Sequence, residues 1–204
     1  MTRTSYHHGA LRDTLLAACL RLIETEGIGA VSLRRVAREA GVSTGAPYHH
    51  FADRAALLAA LSTQGFQLLG SEVTAARAAA DTPLQALTAL AETYVRFSRE
   101  HPGHFRLMFR PELSQPDKHP DTMDAGDAAF AVLADTVADC VAAGLLPADK
   151  ADTIAVAWWG LAHGLASLWL DGQLEKRSVQ LGTEVPALVD DIMRTFTALI
   201  TPSA

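Results

Sequence analysis

Tyrosine, histidine, serine and threonine side chains occur together in the segment STGAPYHH, residues 43–50. Hydroxyl and imidazole groups hydrogen-bond to phosphate oxygens, and a hydroxyl also bonds to base edges, so this composition is typical of contact with nucleic acid. The neighbouring His49 and His50 suggest a metal site as an alternative. Adjacent residues of a helix point about 100° apart, however, and do not converge on one ion. We therefore expect DNA contacts here and no metal ligand.

Two short helices around a glycine turn are predicted to position these side chains. Ser32 is a candidate cap for the first helix. That helix buries the residues at i, i+3, i+4 and i+7 spacing, which are Leu33, Val36, Ala37 and Ala40. Gly41 supplies the positive φ of a helix end, and Ser43 and Thr44 are candidate caps of the second helix, with Pro47 in its first turn. A helix-turn-helix of this kind places the N-terminal end of its second helix in the major groove.

Several residue types in this motif suit contact with DNA. The small residues Gly45 and Ala46 let the backbone approach the bases, and Thr44 is the best candidate for a base contact. Arginines near a helix start oppose the helix dipole, which favours a position facing phosphates. The candidates are Arg34, Ser43, Thr44, Gly45, Ala46, Tyr48, His49, His50 and Arg54. Arginines on a helix also form ordinary solvated faces, and a Gly-Val-Ser turn also occurs in helical proteins that do not bind DNA.

The charge distribution separates the N-terminal part of the chain from the remainder. Residues 1–54 contain seven Arg against five Asp and Glu, a balance of +2, with four His in addition. The whole chain has a net charge of −6, so residues 55–204 carry −8. Any affinity for nucleic acid therefore belongs to the N-terminal part. A DNA-packaging protein without sequence preference is disfavoured, because such proteins are basic overall.

Apolar residues at helical spacing cover almost the whole chain, and no segment alternates as a strand would. Capping residues, glycines and prolines divide this pattern into about nine helices. The predicted ranges are 10–26, a pair within 32–51, 53–80, 83–101, 102–109, 121–143, 148–171 and 184–200. Loops are predicted at 111–120 and 172–182. The expected fold is all-α.

No motif in the chain predicts catalysis or a cofactor. A phosphate-binding glycine loop, a nucleophile elbow and an HExxH motif are all missing from the sequence. Cys19 and Cys140 lie among apolar residues at helical spacing, so we expect buried, unreactive thiols and a reducing cytoplasm. The first residues, MTRTSYHHG, lack the hydrophobic segment of a signal peptide.

The segment Ile154 to Leu170, IAVAWWGLAHGLASLWL, is almost wholly apolar. Its length is at the short limit for crossing a bilayer, and the pair Gly160 and Gly164 also occurs in transmembrane helices. The polar His163 and Ser167 within the segment disfavour insertion. We expect no membrane contact. Instead we predict a helix buried on nearly all sides, part of it in a subunit interface that the glycines allow a partner helix to approach.

The order of these motifs resembles the TetR family of transcriptional regulators. The resemblance rests on YHHGALR, AREAGVSTGAPYHHF and FADRAALLAAL in the first 70 residues, and on HPGHFRLMF and AWWGLAHGL further along. It implies a helix-turn-helix DNA-binding domain over residues 1–54 and a helical ligand-binding and dimerisation domain over residues 55–204. It also implies a cytoplasmic homodimer that pairs through the last two predicted helices, and a repressor that a small molecule releases from a palindromic DNA operator.

In this resemblance the effector lies among the C-terminal helices and moves the long helix predicted at 53–80. Aromatic and soft side chains with a few polar tips suit such a pocket. The candidates are Tyr94, Phe97, Phe105, Met108, Phe109, Phe130, Trp158 and His163. Core packing is the alternative role of each one taken singly. A purely structural helical scaffold is the alternative for the whole chain, but it leaves Tyr48, His49 and the local positive charge unexplained.

Overall fold

The computed structural model describes residues 4–110 and 118–201, and in those ranges it contains nine α-helices and no strand. The α-helices are α1 (Thr4–Glu26), α2 (Leu33–Glu39), α3 (Arg54–Ala78), α4 (Pro83–Glu100), α5 (Pro102–Met108), α6 (Pro120–Ala142), α7 (Ala151–Leu170), α8 (Gln173–Leu181) and α9 (Val185–Ile200). Short 3-10 helices lie at Ile28–Ala30, Ala46–His49 and Ala148–Lys150. The predicted all-α fold is confirmed. Most of the loop predicted at 111–120 lies outside the described residues.

Two compact units make up the described chain. The first comprises Met1–Phe66 and Pro102–Ala125, and the second comprises Gln67–His101 and Gly126–Ala204. The core of the first unit is built from α1, α2, the first turns of α3 and α5. Its fully buried side chains include Leu15, Val36 and Leu57. This core holds the helix-turn-helix segment in place.

In the second unit, α4 packs against α7 and α9. Phe97 of α4, Trp158 of α7 and Met193 of α9 are among its most completely buried side chains. The helix α4 begins where Thr82 accepts a hydrogen bond from the Gln85 amide at 3.3 Å. Its first residue is Pro83, whose missing amide hydrogen costs nothing at that position.

The prediction of a loop at 172–182 is wrong, because α8 occupies most of that segment. Gly172 and Gly182 both have positive φ, 70° and 67°, and so bound the helix on each side. The polar sequence between the two glycines resembles a loop when it is taken alone. Leu174 and Ser178 are four residues apart and buried on one face, so tertiary packing stabilises a helix that the sequence pattern did not predict.

The two cysteines are free and fully buried, as predicted. Burial raises the pKa of Cys19 to about 12, although the charge of Arg54 opposes part of the shift. Burial also raises the pKa of Cys140, and the neighbouring Asp139 carboxylate adds to that effect. Because a thiolate and not a thiol is the nucleophile, neither cysteine is a candidate reactive group.

Candidate nucleic-acid interface and effector pocket

The first helix of the predicted motif is α2, and its start follows the sequence prediction. The Ser32 hydroxyl accepts a hydrogen bond from the Arg35 amide at 3.3 Å. Leu33, Val36 and Ala37 are buried, so Arg34 lies on the opposite, exposed face. The local capping and the apolar spacing therefore fix which side of α2 is available to a partner.

The turn after α2 is a glycine-terminated helix end. Gly41 has a φ of +69°. Its amide donates to the Arg38 carbonyl at 3.1 Å, and the Val42 amide donates to the Ala37 carbonyl at 2.9 Å. These two bonds form the Schellman motif, which satisfies carbonyls that a helix end leaves without partners. Val42 packs half-buried against the core of the first unit.

The second element of the motif differs from the expected helix. It is a single 3-10 turn, Ala46–His49, preceded by Gly45 as N-cap with no side-chain cap. The expectation that Ser43 or Thr44 caps it is therefore wrong. The Phe51 amide donates to the Pro47 carbonyl at 2.9 Å.

The burial of Pro47 and Phe51 explains why this element is short. Pro47 lies within the turn and Phe51 lies two residues after it, and both side chains are buried. Asp53 then accepts a hydrogen bond from the Ala56 amide at 2.8 Å and caps α3. The backbone between His49 and the start of α3 is therefore not helical.

The predicted DNA contacts are brought to the surface of one unit. Ser43, Thr44 and Gly45 are exposed, and so are Tyr48 and His49 beside them. Tyr48 is 54% exposed. Ala46 and His50 are half-buried. The short turn thus presents hydroxyl, phenol and imidazole groups side by side.

The arginines of the motif have different environments. Arg35 pairs with Glu26 at 2.6 Å. Arg34 is exposed, and among the residues that the structure describes it has no hydrogen-bond or ion-pair partner. Arg54 donates from Nε to the Val31 carbonyl at 2.9 Å and from Nη2 to the Ile28 carbonyl at 2.7 Å. Sequence analysis missed this structural role of Arg54, because its partners lie 23 and 26 residues away.

The candidate effector residues are divided between the two units. In the second unit, the Tyr94 hydroxyl and His163 Nδ1 are 2.9 Å apart, and the His163 ring is 6.1 Å from the Trp159 ring. Burial raises the pKa of Tyr94 and lowers that of His163, so both groups are neutral at pH 7. Phe130 packs edge-on against Trp159 at 6.1 Å. This group combines aromatic walls with neutral hydrogen-bonding tips.

Phe97 and Trp158 are almost completely buried in the core of the second unit. The Trp158 indole nitrogen is buried and has no hydrogen-bond partner among the described residues. In the first unit, Phe105 and Met108 are buried, and Phe109 packs edge-on against Phe66 at 5.5 Å. Ring contacts thus join only part of the candidate set: Phe105 and Phe109 at 5.5 Å in the first unit, and Tyr94, His163 and Phe130 through Trp159 and its neighbours in the second.

An apolar face of α7 is exposed. Val156, Trp159 and Leu168 are all more than a third exposed. A Cβ added at Gly160 or at Gly164 would meet nothing within 4 Å. Residues 148–170 are long and apolar enough to cross a membrane by length and composition. Within one chain, only 33% of the most apolar 18-residue stretch of this helix is buried. The expectation that the helix is buried on nearly all sides is therefore not met by one chain.

A groove that the sequence does not indicate lies between the last turns of α3 and the length of α4 from Gln85 to Glu100. Its volume is about 610 Å³. Alanines and carboxylates both line it; the lining residues include Ala76, Ala79, Ala89, Glu72, Glu92 and Glu100. The helices that form it meet through residues far apart in sequence, so no local motif marks it.

Comparison with known proteins matches two family models to two separate parts of the chain. The family described as bacterial regulatory proteins, tetR family, matches residues 15–61. The family described as tetracyclin repressor-like, C-terminal domain, matches residues 87–196. The first match contains α2, the glycine turn and the exposed 3-10 turn.

A solved structure of a protein of unknown function from Rhodococcus sp. RHA1 is 34% identical, with a TM-score of 0.83, and the match covers 98% of this chain and 100% of that one. The regulator BetI of Rhizobium meliloti is 35% identical over 85 residues, 42% of each chain. The nucleoid occlusion factor SlmA of Haemophilus ducreyi is 30% identical over 98 residues, 48% of each chain. The chain thus spans less than half the length of these two curated relatives.

Proposed function

This chain belongs to the TetR family of bacterial regulatory proteins, and we propose that it is a homodimeric transcriptional repressor that a small-molecule effector releases from its DNA operator. The observation that carries the proposal is the exposed 3-10 turn at the end of a helix-turn-helix. This turn exposes Tyr48 and His49 and lies next to Thr44. The positive charge of residues 1–54 favours DNA at the same end of the chain.

The proposed contacts divide by role. Thr44 and the backbone of Gly45 and Ala46 read base edges, since they precede or begin the turn that enters the major groove. Tyr48, His49 and Arg34 bind phosphates and set the position of the turn. His50 and Ser43 flank these groups. Arg54 stabilises this surface by donating hydrogen bonds to the Ile28 and Val31 carbonyls.

The exposed face of α7 supports the proposed homodimer. Gly160 and Gly164 lie in open space within one chain, so a partner helix is able to approach them closely. Phe196 of α9 packs on Trp158 of α7 at 5.4 Å, so these two helices form one surface. Two copies paired here place two helix-turn-helix motifs on a palindromic operator, with half-sites about 34 Å apart.

The proposed effector binds in the second domain, residues 55–204. Tyr94, His163 and Trp159 offer neutral polar tips on aromatic walls, which is the usual composition of a small-molecule site. Release of DNA requires that the effector bind the DNA-free arrangement more tightly than the DNA-bound one. We further propose a cytoplasmic location and no catalytic activity, in agreement with a regulatory family.

A mobility-shift assay tests the DNA-binding part of this proposal. Duplexes flanking the protein's own gene are compared with scrambled duplexes of equal length at one fixed salt concentration, because affinity depends strongly on salt. We expect tighter binding to a flanking duplex. Equal binding to both sets would refute the repressor proposal.

Two single substitutions test the division of roles. Tyr48→Phe is expected to weaken binding to all duplexes by a similar factor, because a phosphate contact carries no sequence information. Thr44→Ala is expected to change the preference among operator variants by about 1–3 kcal/mol. The reverse pattern would contradict the assigned roles.

A further inference from the structure

Three side chains at one end of the α3–α4 groove have the chemistry of metal ligands. Glu72 lies on α3, Glu100 is the last residue of α4, and His101 follows it. All three belong to the second compact unit. One potential ligand atom from each residue lies within 4.8 Å of the other two. Two carboxylates and an imidazole are a ligand set that first-row divalent metals accept.

The measured spacing suits a single ion. Glu72 Oε1 and His101 Nε2 are 3.3 Å apart. Two atoms that each lie about 2.0–2.1 Å from one tetrahedral zinc ion are about 3.4 Å apart. Glu72 and His101 therefore need little movement to share an ion. Glu100 is half exposed and flexible enough to complete the set.

A second observation concerns the other carboxylate oxygen of Glu72. Glu72 Oε2 is buried and accepts no hydrogen bond from the described residues. The cation nearest to it is the guanidinium of Arg96, at 3.8 Å, and the same guanidinium is 3.6 Å from Glu100. Both distances exceed that of a hydrogen bond. The Arg96 guanidinium therefore offsets the negative charge of the two carboxylates but does not hydrogen-bond to the buried Glu72 Oε2.

The backbone also favours a cation here. His101 is the C-cap of α4, and its amide donates to the Phe97 carbonyl at 2.8 Å. The carbonyl end of a helix carries partial negative charge and attracts positive charge. The Phe97 ring packs against the His101 ring at 4.8 Å and limits its movement. The imidazole is thereby held toward Glu72.

We infer that Glu72, Glu100 and His101 form a binding site for a divalent transition-metal ion of the zinc class. The imidazole favours zinc, cobalt or nickel over magnesium and calcium, which prefer oxygen ligands alone. The ion takes the place of the Arg96 guanidinium between the two carboxylates. Three protein ligands leave a fourth position for water. The site joins α3 to α4 and stands independently of the proposed repressor function.

Calorimetry with Zn²⁺ tests this site on untagged, EDTA-treated, full-length protein. Visible absorption of the Co²⁺-loaded protein reports the coordination geometry. We expect one Zn²⁺ per chain in wild type.

His101→Ala and Glu100→Gln should each weaken Zn²⁺ binding by about tenfold or more. Glu100 is half exposed, so its substitution does not endanger folding. Arg96→Gln should strengthen binding, because it removes the competing cation.

Glu92→Gln is the matched control, since Glu92 lines the same groove but lies outside the three-residue cluster. It should bind Zn²⁺ like wild type. No specific binding by wild type, or equal binding by wild type and Glu100→Gln, would overturn the inference. Weaker binding by Arg96→Gln would also contradict it. No DNA is present in the experiment, so its outcome is separate from that of the mobility-shift assay.

Discussion

At the residue scale, the guanidinium of Arg54 ties the start of α3 to the segment before α2. Two of its donors bond to the carbonyls of Ile28, the first residue of a short 3-10 helix, and of Val31, the C-cap of that helix. The Ile28 carbonyl also accepts the Val31 amide at 3.3 Å. A lysine has one ammonium group and does not present two donors in a fixed fork. The residue that looked like a phosphate ligand therefore also holds the helix-turn-helix on its core.

Arg54→Ala should lower the free energy of unfolding by about 1–3 kcal/mol, because it removes two charge-assisted hydrogen bonds to backbone carbonyls. Urea unfolding followed by circular dichroism measures this change. The control is Arg34→Ala, which removes an exposed arginine without described partners and should change stability by no more than about 0.5 kcal/mol. Equal losses in both variants would contradict the structural role of Arg54.

At the same scale, the imidazole of His163 makes the free energy of unfolding depend on pH. Burial lowers its pKa, so protonation is harder in the folded chain than in the unfolded chain. Its contribution to stability is fully present above the unfolded pKa of about 6.5 and is lost as the pH falls through the lower folded value. Wild type should thus lose stability between pH 7.5 and 5.5, and His163→Gln should lose less. His49→Gln should behave like wild type in the same urea titrations.

At the element scale, the glycine turn controls how α2 is followed by the exposed 3-10 turn. Gly41 needs a positive φ, which an L-residue with a Cβ adopts at a cost of about 1–2 kcal/mol. Gly41→Ala should lower stability by about 1 kcal/mol. Because the turn also orients Thr44, operator binding should weaken in the same variant. Thermal unfolding and the mobility-shift assay measure the two effects.

Gly29→Ala provides the comparison for Gly41→Ala. Gly29 is exposed, its φ is not positive, and an added Cβ would meet nothing within 4 Å. Its substitution should leave stability within about 0.5 kcal/mol of wild type. A loss as large as that of Gly41→Ala would mean that the αL backbone conformation is not the cause.

The elements that sequence predicted correctly are those whose ends depend on nearby hydrogen bonds. Ser32, Gly41 and Asp53 each bond to a backbone group three residues away, so their types alone indicate where α2 begins and ends and where α3 begins. The shortness of the 3-10 turn was not predictable in this way. It depends on the burial of Pro47 and Phe51, which is a tertiary effect.

Long-range contacts account for the other differences. The helix α8 forms because Leu174 and Ser178, on one of its faces, are buried by tertiary packing. Glu72 and His101 meet because α3 and α4 run side by side, although 29 residues separate them. Neither arrangement has a local sequence signature. The exposure of the candidate contact residues follows, in contrast, from their polar side chains and the local turn, while their contact with DNA stays a prediction.

At the scale of the whole molecule, one chain leaves apolar surface exposed on α7, and the proposed homodimer would cover it. Leu168 is 46% exposed, so a glutamate at that position is compatible with the folded monomer. Leu168→Glu should weaken self-association about tenfold or more, since it buries an unpaired carboxylate in the proposed interface. Sedimentation velocity at several concentrations measures this effect.

Val179→Glu on α8 is the control for Leu168→Glu. Val179 is 80% exposed and lies outside the proposed α7–α9 surface. Its variant should sediment as wild type does. A dimer that persists in Leu168→Glu, or dissociation in Val179→Glu instead, would place the interface elsewhere on the molecule.

The single-turn geometry of Ala46–His49 also has a consequence for motion. A long helix opens against many successive hydrogen bonds, whereas this turn has only a few, and the buried side chains of Pro47, within it, and Phe51, just after it, anchor it. Local opening here does not require any neighbouring helix to unfold. Amide hydrogens of Tyr48 and His49 should thus exchange with solvent faster than those of α1, and bound operator should slow them. The proposed DNA-contacting surface would then open less often once operator is bound.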